Sequence, residues 1–194
     1  MDSTIEFLQA ERARLQDERR ALLEEIAYLK KALEESSRDD LTGLLRRKVF
    51  DEFVQKEINL WARSKAPFSI FVIDLNDLKK VNDTYGHLAG DDMIVSFATL
   101  LKVSLRDCDV VARGSAAGDE FLVLLPGEDG NGALGAKEHL LRQFEKMRTH
   151  MLPAFYGAAI GVATVSTDLG TFELLYKAAD MAMFEHKREM KRQE

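Results

Sequence analysis

Three carboxylates stand at the ends of two strongly apolar segments. Asp74 closes the run 68–74, and Asp119 and Glu120 come directly before the apolar run 121–125. If the two runs are neighbouring strands, the three side chains converge at one edge of a sheet. Oxygen ligands without a nearby His or Cys suit Mg²⁺ or Mn²⁺, ions that normally serve nucleotide phosphates. Spacing alone favours a plainer interpretation, in which Asp74 caps the following helix and the other two are turn residues.

Composition limits the classes of partner. The 194 residues carry 27 Lys and Arg against 33 Asp and Glu, a formal net charge of −6, which argues against a non-specific nucleic-acid or anionic-membrane surface. The apolar runs are too short to span a bilayer, and no secretory signal pattern follows Met1, so we expect no membrane attachment by this chain. A single cysteine, Cys108, permits no internal disulfide, which favours a cytoplasmic location.

The first 38 residues have the pattern of a coiled coil. No Gly or Pro occurs between residues 4 and 35, and two series of residues recur at intervals of seven. These are Ile5, Arg12, Arg19, Ile26 and Leu33 in one series, and Leu8, Leu15, Leu22 and Leu29 in the other. The alternation of three and four predicts a dimerisation helix, with a homodimer formed through residues 5–33. The alternative is one amphipathic helix packed on its own domain, around which a strict seven-residue repeat would drift.

Residues 39–194 have the pattern of a second, compact domain. Periodicity predicts helices and strands that alternate, with one hairpin, which indicates the α+β class with a central sheet covered by helices. The predicted helices are 46–63, 78–85, 91–105, 136–150 and 171 to about 188, the predicted strands are 68–74, 110–113, 121–125 and 155–165, and a loop is predicted over 127–135.

Four motifs together resemble the GGDEF-domain diguanylate cyclases. They are DDLTGL (39–44), FVIDLNDLKKVNDTYGHLAGD (71–91), GDEF (118–121) and ADMAMFEHK (179–187), and they occur in the family's order and at nearly its spacing. The resemblance implies a nucleotidyl-cyclase-like palm with a mostly antiparallel sheet. It also implies that two GTP molecules, one on each of two facing domains, condense to cyclic di-GMP and two pyrophosphates. The heptads are similar to the helical linker that commonly dimerises this family.

The resemblance assigns the acidic residues to a metal site. Asp74 and the carbonyl of Leu75 would be ligands of Mg²⁺ or Mn²⁺, and Asp119 and Glu120 would complete the site and act in catalysis with Lys187. Bound metal would neutralise phosphate charge and lower the pKa of the attacking 3′-hydroxyl.

Further residues are assigned to GTP itself. Asn82 and Asp91 resemble the residues that recognise guanine, whose N1–H and N2–H₂ donors suit a carboxylate. The alternative is that Asn82 ends one helix and Asp91 caps the next. Lys79, Lys187 and Lys191 resemble phosphate-binding residues, although Lys191 and its neighbours could instead complement a helix dipole. Gly118 would let the backbone approach the substrate.

Two further features of the sequence bear on product inhibition and on catalytic activity. Arg106 and Asp109 match the family's inhibitory Arg-x-x-Asp pair, which would bind product guanine, although an isolated pair of this kind is usually a surface ion pair. Residues 114–117 (GSAA) make the loop before Gly118 two residues longer than in the family, and the first glycine of the signature is replaced by Ala117. We therefore weigh an active, product-inhibited cyclase against a receptor for cyclic di-GMP or GTP, and against a simple dimerisation module.

Overall fold

The computed structural model describes residues 2–115, 118–148 and 157–193, which divide into two units, Met1–Arg38 and Asp39–Glu194. The helices and strands are, in chain order, α1 (Asp2–Ser36), β1 (Leu45–Arg46), α2 (Arg47–Ser64), β2 (Phe68–Leu75), α3 (Leu78–Tyr85), α4 (His87–Ser104), β3 (Val110–Arg113), β4 (Glu120–Pro126), α5 (Gly130–Arg148), β5 (Ala158–Thr164) and α6 (Phe172–Gln193). None of the helices described is both long and apolar enough to cross a membrane.

The first unit is one continuous helix, as the heptads predict. Helix α1 runs through Asp2–Ser36 without interruption because every residue between 4 and 35 is compatible with a helix. Leu15, Leu22 and Leu29 of the seam are 55%, 52% and 56% exposed. The side chains of Ile5 and Leu8, which belong to the same predicted seam, lie outside the described set.

The second unit is built on a five-stranded sheet in the order β1-β3-β4-β2-β5. The pair β1 and β3 is parallel, and the other neighbouring strands are antiparallel. Strand β2 lies between β4 and β5, and Asp74 is directly opposite Glu120 in the register of β2 and β4. The predicted α+β class and the mostly antiparallel sheet are therefore confirmed, and the two acid-bearing strands are neighbours.

Both faces of the sheet are covered, because the residues of β2 alternate between two cores. Phe71, Ile73 and Leu75 pack with residues of α3, α4 and α5, whereas Ile70 and Val72 pack with residues of α2 and α6. This two-sided burial explains why the segment is apolar at every position up to Asp74 except Ser69. The period of two places Asp74 on the face covered by α2 and α6.

Helix α6 packs unusually close to the sheet. A Cβ atom at Gly161 of β5 would lie only 1.9 Å from the carbonyl oxygen of Ala179 and 2.2 Å from the backbone nitrogen of Met183. A side chain at this position would force the helix backbone away, so glycine is what permits the approach. The close packing fixes the distance of α6 from β2 and β5. It thereby also fixes the positions of the side chains that α6 directs towards the sheet edge.

Several element boundaries differ from the sequence-based prediction. Helix α4 begins at His87 rather than residue 91, and α5 begins at Gly130, inside the predicted loop 127–135. Strand β1 was not predicted, so α2 begins one residue later than expected. The ends of the predicted helix 136–150 and the start of the predicted strand 155–165 lie outside the described residues.

Candidate active site

Two carboxylates face each other at the end of the central strands. Asp74 of β2 and Glu120 of β4 are directly opposite in the antiparallel register, so both project to the face covered by α2 and α6. Asp119 precedes β4, and its backbone carbonyl accepts a hydrogen bond of 3.0 Å from the N–H of Leu75. The fold therefore brings Asp74 and Leu75 together with Asp119 and Glu120, a pair at least 44 residues further along the sequence.

Lys187 of α6, which the resemblance assigns to phosphate binding and catalysis, reaches this acidic cluster. Its Nζ donates to Oδ1 of Asp74. Burial raises the pKa of Asp74, the bond from Lys187 works against that rise, and the charges of Asp119 and Glu120 add to it. A cation beside Asp74 therefore offsets the cost of holding several negative charges together.

Glu120 is held by two residues that the sequence analysis did not assign. The hydroxyl of Tyr176 donates to Glu120 Oε1, and the guanidinium of Arg47 lies 3.6 Å from the same oxygen. Arg47 also donates to the Tyr176 oxygen at 3.0 Å and stacks over its ring at 4.1 Å. Burial and the bond to Glu120 raise the pKa of Tyr176 to about 12, so the hydroxyl is a donor at neutral pH.

The donor set of the acidic cluster fits a hard divalent cation in its chemistry. Asp74, Asp119 and Glu120 offer carboxylate oxygens, and burial with mutual repulsion raises the pKa of Asp74, a situation that a bound cation relieves. Within the described residues, no three such side chains are already arranged around a common point that could hold a metal. Instead, Asp74 is bonded to Lys187, and Glu120 to Tyr176 and Arg47.

A cleft of about 340 Å³ lies in the second unit. Its lining residues are Asp39, Asp40, Leu41, Arg46, Leu78, Asn82, His87, Gly90, Asp91, Ile94 and Arg113. Asn82 and Asp91, the two predicted guanine-binding residues, are therefore in one cleft. The capping alternative for them is wrong: Asn82 lies inside α3, which Gly86 ends, and Asp91 lies in the second turn of α4 rather than at its start.

Asn82 lies in this cleft, and its side-chain amide oxygen is not used in a hydrogen bond. Its Oδ1 is buried and has no hydrogen-bond partner. Gly90 faces it so closely that a Cβ there would lie 1.9 Å from that oxygen. Burial of an acceptor without a hydrogen-bond partner costs free energy, so the arrangement is suited to a ligand that brings a donor.

Arg113 connects the cleft to the loop that carries the acids. It is 4% exposed, donates to Oδ1 of Asp39 at 3.0 Å, and donates to the carbonyl of Gly118 at 3.2 Å. Phe121, Val123 and Leu125 all face the core of α3 to α5, so the longer loop preserves the alternation of β4, as expected. Ala117 and Ala116 lie outside the described residues.

The remaining predicted residues are distributed around the domain. Lys79 and Lys191 are exposed residues of α3 and α6. Arg106 binds Asp109 Oδ1 at 2.7 Å, the carbonyl of Pro126 at 3.2 Å, and Glu128. The Asp109 side chain is only 2% exposed, which distinguishes this pair from an ordinary surface ion pair. Because the pair precedes β3 and contacts Pro126, the last residue of β4, and Glu128 beyond it, it lies at the opposite end of the sheet from the acids.

The sequence is similar to those of known proteins. The chain is 31% identical over 157 residues to the probable diguanylate cyclase DgcC of Escherichia coli K12, an alignment that covers 79% of this chain and 41% of DgcC. It is 29% identical over 161 residues to diguanylate cyclase A of Treponema denticola, covering 80% of this chain and 43% of that protein. The chain thus spans less than half the length of these two curated relatives.

Solved structures agree in fold. The coiled coil and GGDEF domain of DgcB from Caulobacter crescentus, in complex with c-di-GMP, has a TM-score of 0.80 at 23% identity and covers 91% of this chain and 94% of its own. The GGDEF domain of TpbB from Pseudomonas aeruginosa has a TM-score of 0.70 at 30% identity, covering 78% and 89%. Residues 36–193 match the family described as "Diguanylate cyclase, GGDEF domain". With the acidic cluster at the expected strand ends, the chain belongs to the GGDEF diguanylate cyclase domain family.

Proposed function

We propose that this protein is a diguanylate cyclase, which condenses two GTP molecules into cyclic di-GMP with release of two pyrophosphates. The observation that carries the proposal is the opposition of Asp74 and Glu120 at the end of β2 and β4, with Lys187 bonded to Asp74. An acidic pair with an adjacent lysine suits the transfer of a nucleotidyl group, because phosphate charge has to be neutralised while a hydroxyl attacks.

The acidic cluster is proposed as the site of Mg²⁺ or Mn²⁺. Asp74, the Leu75 carbonyl, Asp119 and Glu120 would hold the ion, for which their oxygens are suitable donors. When bound, such an ion neutralises the triphosphate and lowers the pKa of a nearby hydroxyl. Lys187 would then be released from Asp74 and would be free to contact phosphate, as a flexible point charge can.

The cleft is proposed to hold the guanine base. Asp91 would accept from the N1–H and N2–H₂ groups, and the unpartnered Oδ1 of Asn82 would accept a further donor. Lys79, Lys187, Lys191 and the backbone at Gly118 would serve the phosphates. Adenine lacks this pair of donors, so the cleft would select GTP.

The reaction needs two such sites. The 3′-hydroxyl of each GTP attacks the α-phosphorus of the other, so a new P–O ester forms as the bond to the β-phosphate breaks and pyrophosphate leaves. We propose that a homodimer, formed through residues 5–33, brings two domains face to face for this purpose.

Replacement of Asp74 tests the proposal. Asp74→Asn removes a charged ligand while relieving repulsion in the cluster, so the domain should remain folded and turnover should fall by about 100-fold, a barrier increase of about 3 kcal/mol. The measurement is GTP turnover with Mg²⁺, followed by chromatography of the nucleotides. Asp168→Asn, an exposed carboxylate between β5 and α6, is the matched control. Equal turnover in the parent and Asp74→Asn would remove Asp74 from the mechanism.

Product feedback is proposed at Arg106 and Asp109. A guanidinium held beside a buried carboxylate can bind guanine O6 and N7 while the carboxylate accepts from N1 and N2. Arg106→Ala should therefore relieve inhibition by cyclic di-GMP with little change in the initial rate, because the pair is at the far end of the sheet. Arg142→Ala, an exposed arginine of α5, is the control. Undiminished inhibition in Arg106→Ala would make the pair a structural feature only.

A receptor for cyclic di-GMP or GTP is the second candidate. The lengthened loop before Gly118 favours it, because a less preorganised loop would reduce turnover. Binding of cyclic di-GMP or GTP without any turnover in Mg²⁺ would select this candidate over the cyclase.

A further inference from the structure

Arg46 lines the cleft that holds Asn82 and Asp91. It is the last residue of β1 and pairs with Arg113 of β3 in the parallel register, so its backbone is fixed by the sheet. It also immediately precedes α2, with an extended backbone at φ −77° and ψ 154°. The side chain therefore starts from a rigid position at the rim of the cleft.

The two arginines that line the cleft differ in how easily a ligand could bind them. Arg113 is 4% exposed and is occupied by Asp39 and the Gly118 carbonyl. Arg46 is 39% exposed, and its partner Asp40, 3.1 Å away, is 92% exposed. An ion pair this open to water contributes about 0–1 kcal/mol, so a ligand can replace Asp40 at little cost.

The position of Arg46 in the sheet separates it from Asp74, the acid of β2. Neighbouring strands lie about 4.8 Å apart, and β1 is three strands from β2, so the Arg46 backbone is about 14 Å from the strand that carries Asp74. The adjacent residue, Arg47, points instead towards Glu120. If a nucleotide extends from the cleft to the acids, Arg46 therefore lies beside its base rather than beside its phosphates.

We propose that Arg46 binds the O6 and N7 edge of guanine in this cleft, in exchange for Asp40. The inference rests on the proposed function, in which Asp91 and Asn82 take the N1 and N2 side of the same base. That arrangement leaves O6 and N7 without partners, and the planar fork of an arginine is complementary to these two acceptors. Arg46 is then a specificity-determining residue that adds to the recognition of guanine.

Binding of three nucleotides to the full chain tests the proposal, with a chelator present so that no turnover occurs. GTP is compared with 7-deaza-GTP, which lacks the N7 acceptor, and with ITP, which lacks the N2 amine. The parent protein should bind 7-deaza-GTP about tenfold more weakly than GTP. Arg46→Ala should bind GTP about tenfold more weakly than the parent and should no longer distinguish GTP from 7-deaza-GTP. Lys48→Ala, an exposed cation of α2 that does not line the cleft, should behave as the parent.

Other outcomes overturn the proposal in distinguishable ways. If Arg46→Ala weakens both nucleotides equally and Arg46→Lys restores them, Arg46 contacts phosphate rather than the base. If the parent prefers GTP to ITP and Arg46→Ala binds GTP as tightly as the parent does, the cleft recognises guanine without Arg46. The proposed function is then retained, and the role of Arg46 is refuted. If the parent binds no GTP either in this experiment or with Mg²⁺ present, both proposals fail.

Discussion

Gly90 and Asn82 show how one residue of a helix can prepare a binding site. A glycine inside α4 costs about 0.5–1 kcal/mol of helix stability relative to alanine. In return, the Asn82 amide occupies the space that a methyl group at residue 90 would fill, and its Oδ1 remains unpartnered in the cleft. Helix stability is lost here so that one hydrogen-bond acceptor is correctly placed, and such a trade-off is common at functional sites.

Substitution of Gly90 should separate the fold from nucleotide binding. In Gly90→Ala the new Cβ would overlap Asn82 Oδ1, and the flexible end of the asparagine should turn away because the helix gains from alanine. We expect an unchanged or raised melting temperature and about tenfold weaker GTP binding, corresponding to the loss of one hydrogen bond to the base. Calorimetric titration and thermal melting measure the two effects.

Gly135→Ala provides a matched control in another helix. Nothing lies within 4 Å of a Cβ built at Gly135 of α5, so this variant should gain stability and bind GTP as the parent does. GTP binding by Gly90→Ala at the parent's affinity would mean that the Asn82 amide takes no part in recognising the nucleotide.

Some site residues can be found from sequence and others require the fold. Asp74 and Glu120 are recognisable from the motifs at 71–91 and 118–121, because spacing alone favours capping and turn roles for them, and only the pairing of β2 with β4 shows that they are opposite. Tyr176 was missed although it precedes Lys187 by eleven residues, about three helical turns, which places both on one face of α6. Arg47 was missed because a charged residue at the start of a helix is usually solvated.

The two helix starts that differ most from prediction share one physical cause. Glycines at positions 86 and 90, and at 130, 132 and 135, favour loops by local propensity, yet all except Gly86 lie in helices. Packing outweighs that propensity, because Ala133 and Met93 of the same segments are buried in the core. Strand β1 has only two residues, too few to produce a periodic pattern.

The contact of β5 with α6 predicts a pH dependence of stability. His186 Nδ1 accepts the N–H of Ile160 at 3.0 Å, which requires that nitrogen to be unprotonated. Burial lowers the pKa of His186, the charge of Lys137 on α5 adds to this, and Glu189 on α6 works against it. The unfolded chain therefore binds a proton at a higher pH than the folded protein, and the free energy of unfolding should fall as the pH is lowered through about 6.5.

A pair of histidine variants isolates that contribution. Melting temperatures measured between about pH 8 and about pH 5 should depend less on pH in His186→Gln, whose side chain can accept a hydrogen bond without titrating. His139→Gln removes an exposed histidine of α5 and should retain the parent's dependence. Parallel curves for the parent and His186→Gln would show that the acid-sensitive contact is elsewhere.

At the scale of the whole molecule, each chain supplies one cleft and one acidic cluster, whereas cyclic di-GMP contains two guanines. A second chain must therefore meet the first if the proposed reaction occurs. We propose that helix α1 provides this association, since its seam residues Leu15 and Leu22 are more than half exposed in the chain. A seam of leucines at intervals of seven is stabilised when a partner helix covers it.

Charges placed in that seam should abolish association and make turnover depend on the collision of monomers. Leu15→Asp with Leu22→Asp puts four carboxylates into one two-stranded seam, which desolvation and repulsion make unfavourable. The protein should become monomeric by light scattering, and its GTP turnover should rise with the square of protein concentration because two monomers must collide. Ala13→Asp with Ala21→Asp adds the same charge to exposed positions of α1 outside the seam, and should remain a dimer with turnover proportional to concentration. A dimer that survives Leu15→Asp with Leu22→Asp would place the interface in the second unit, whereas a monomer with full turnover at low concentration would contradict the requirement for two facing sites.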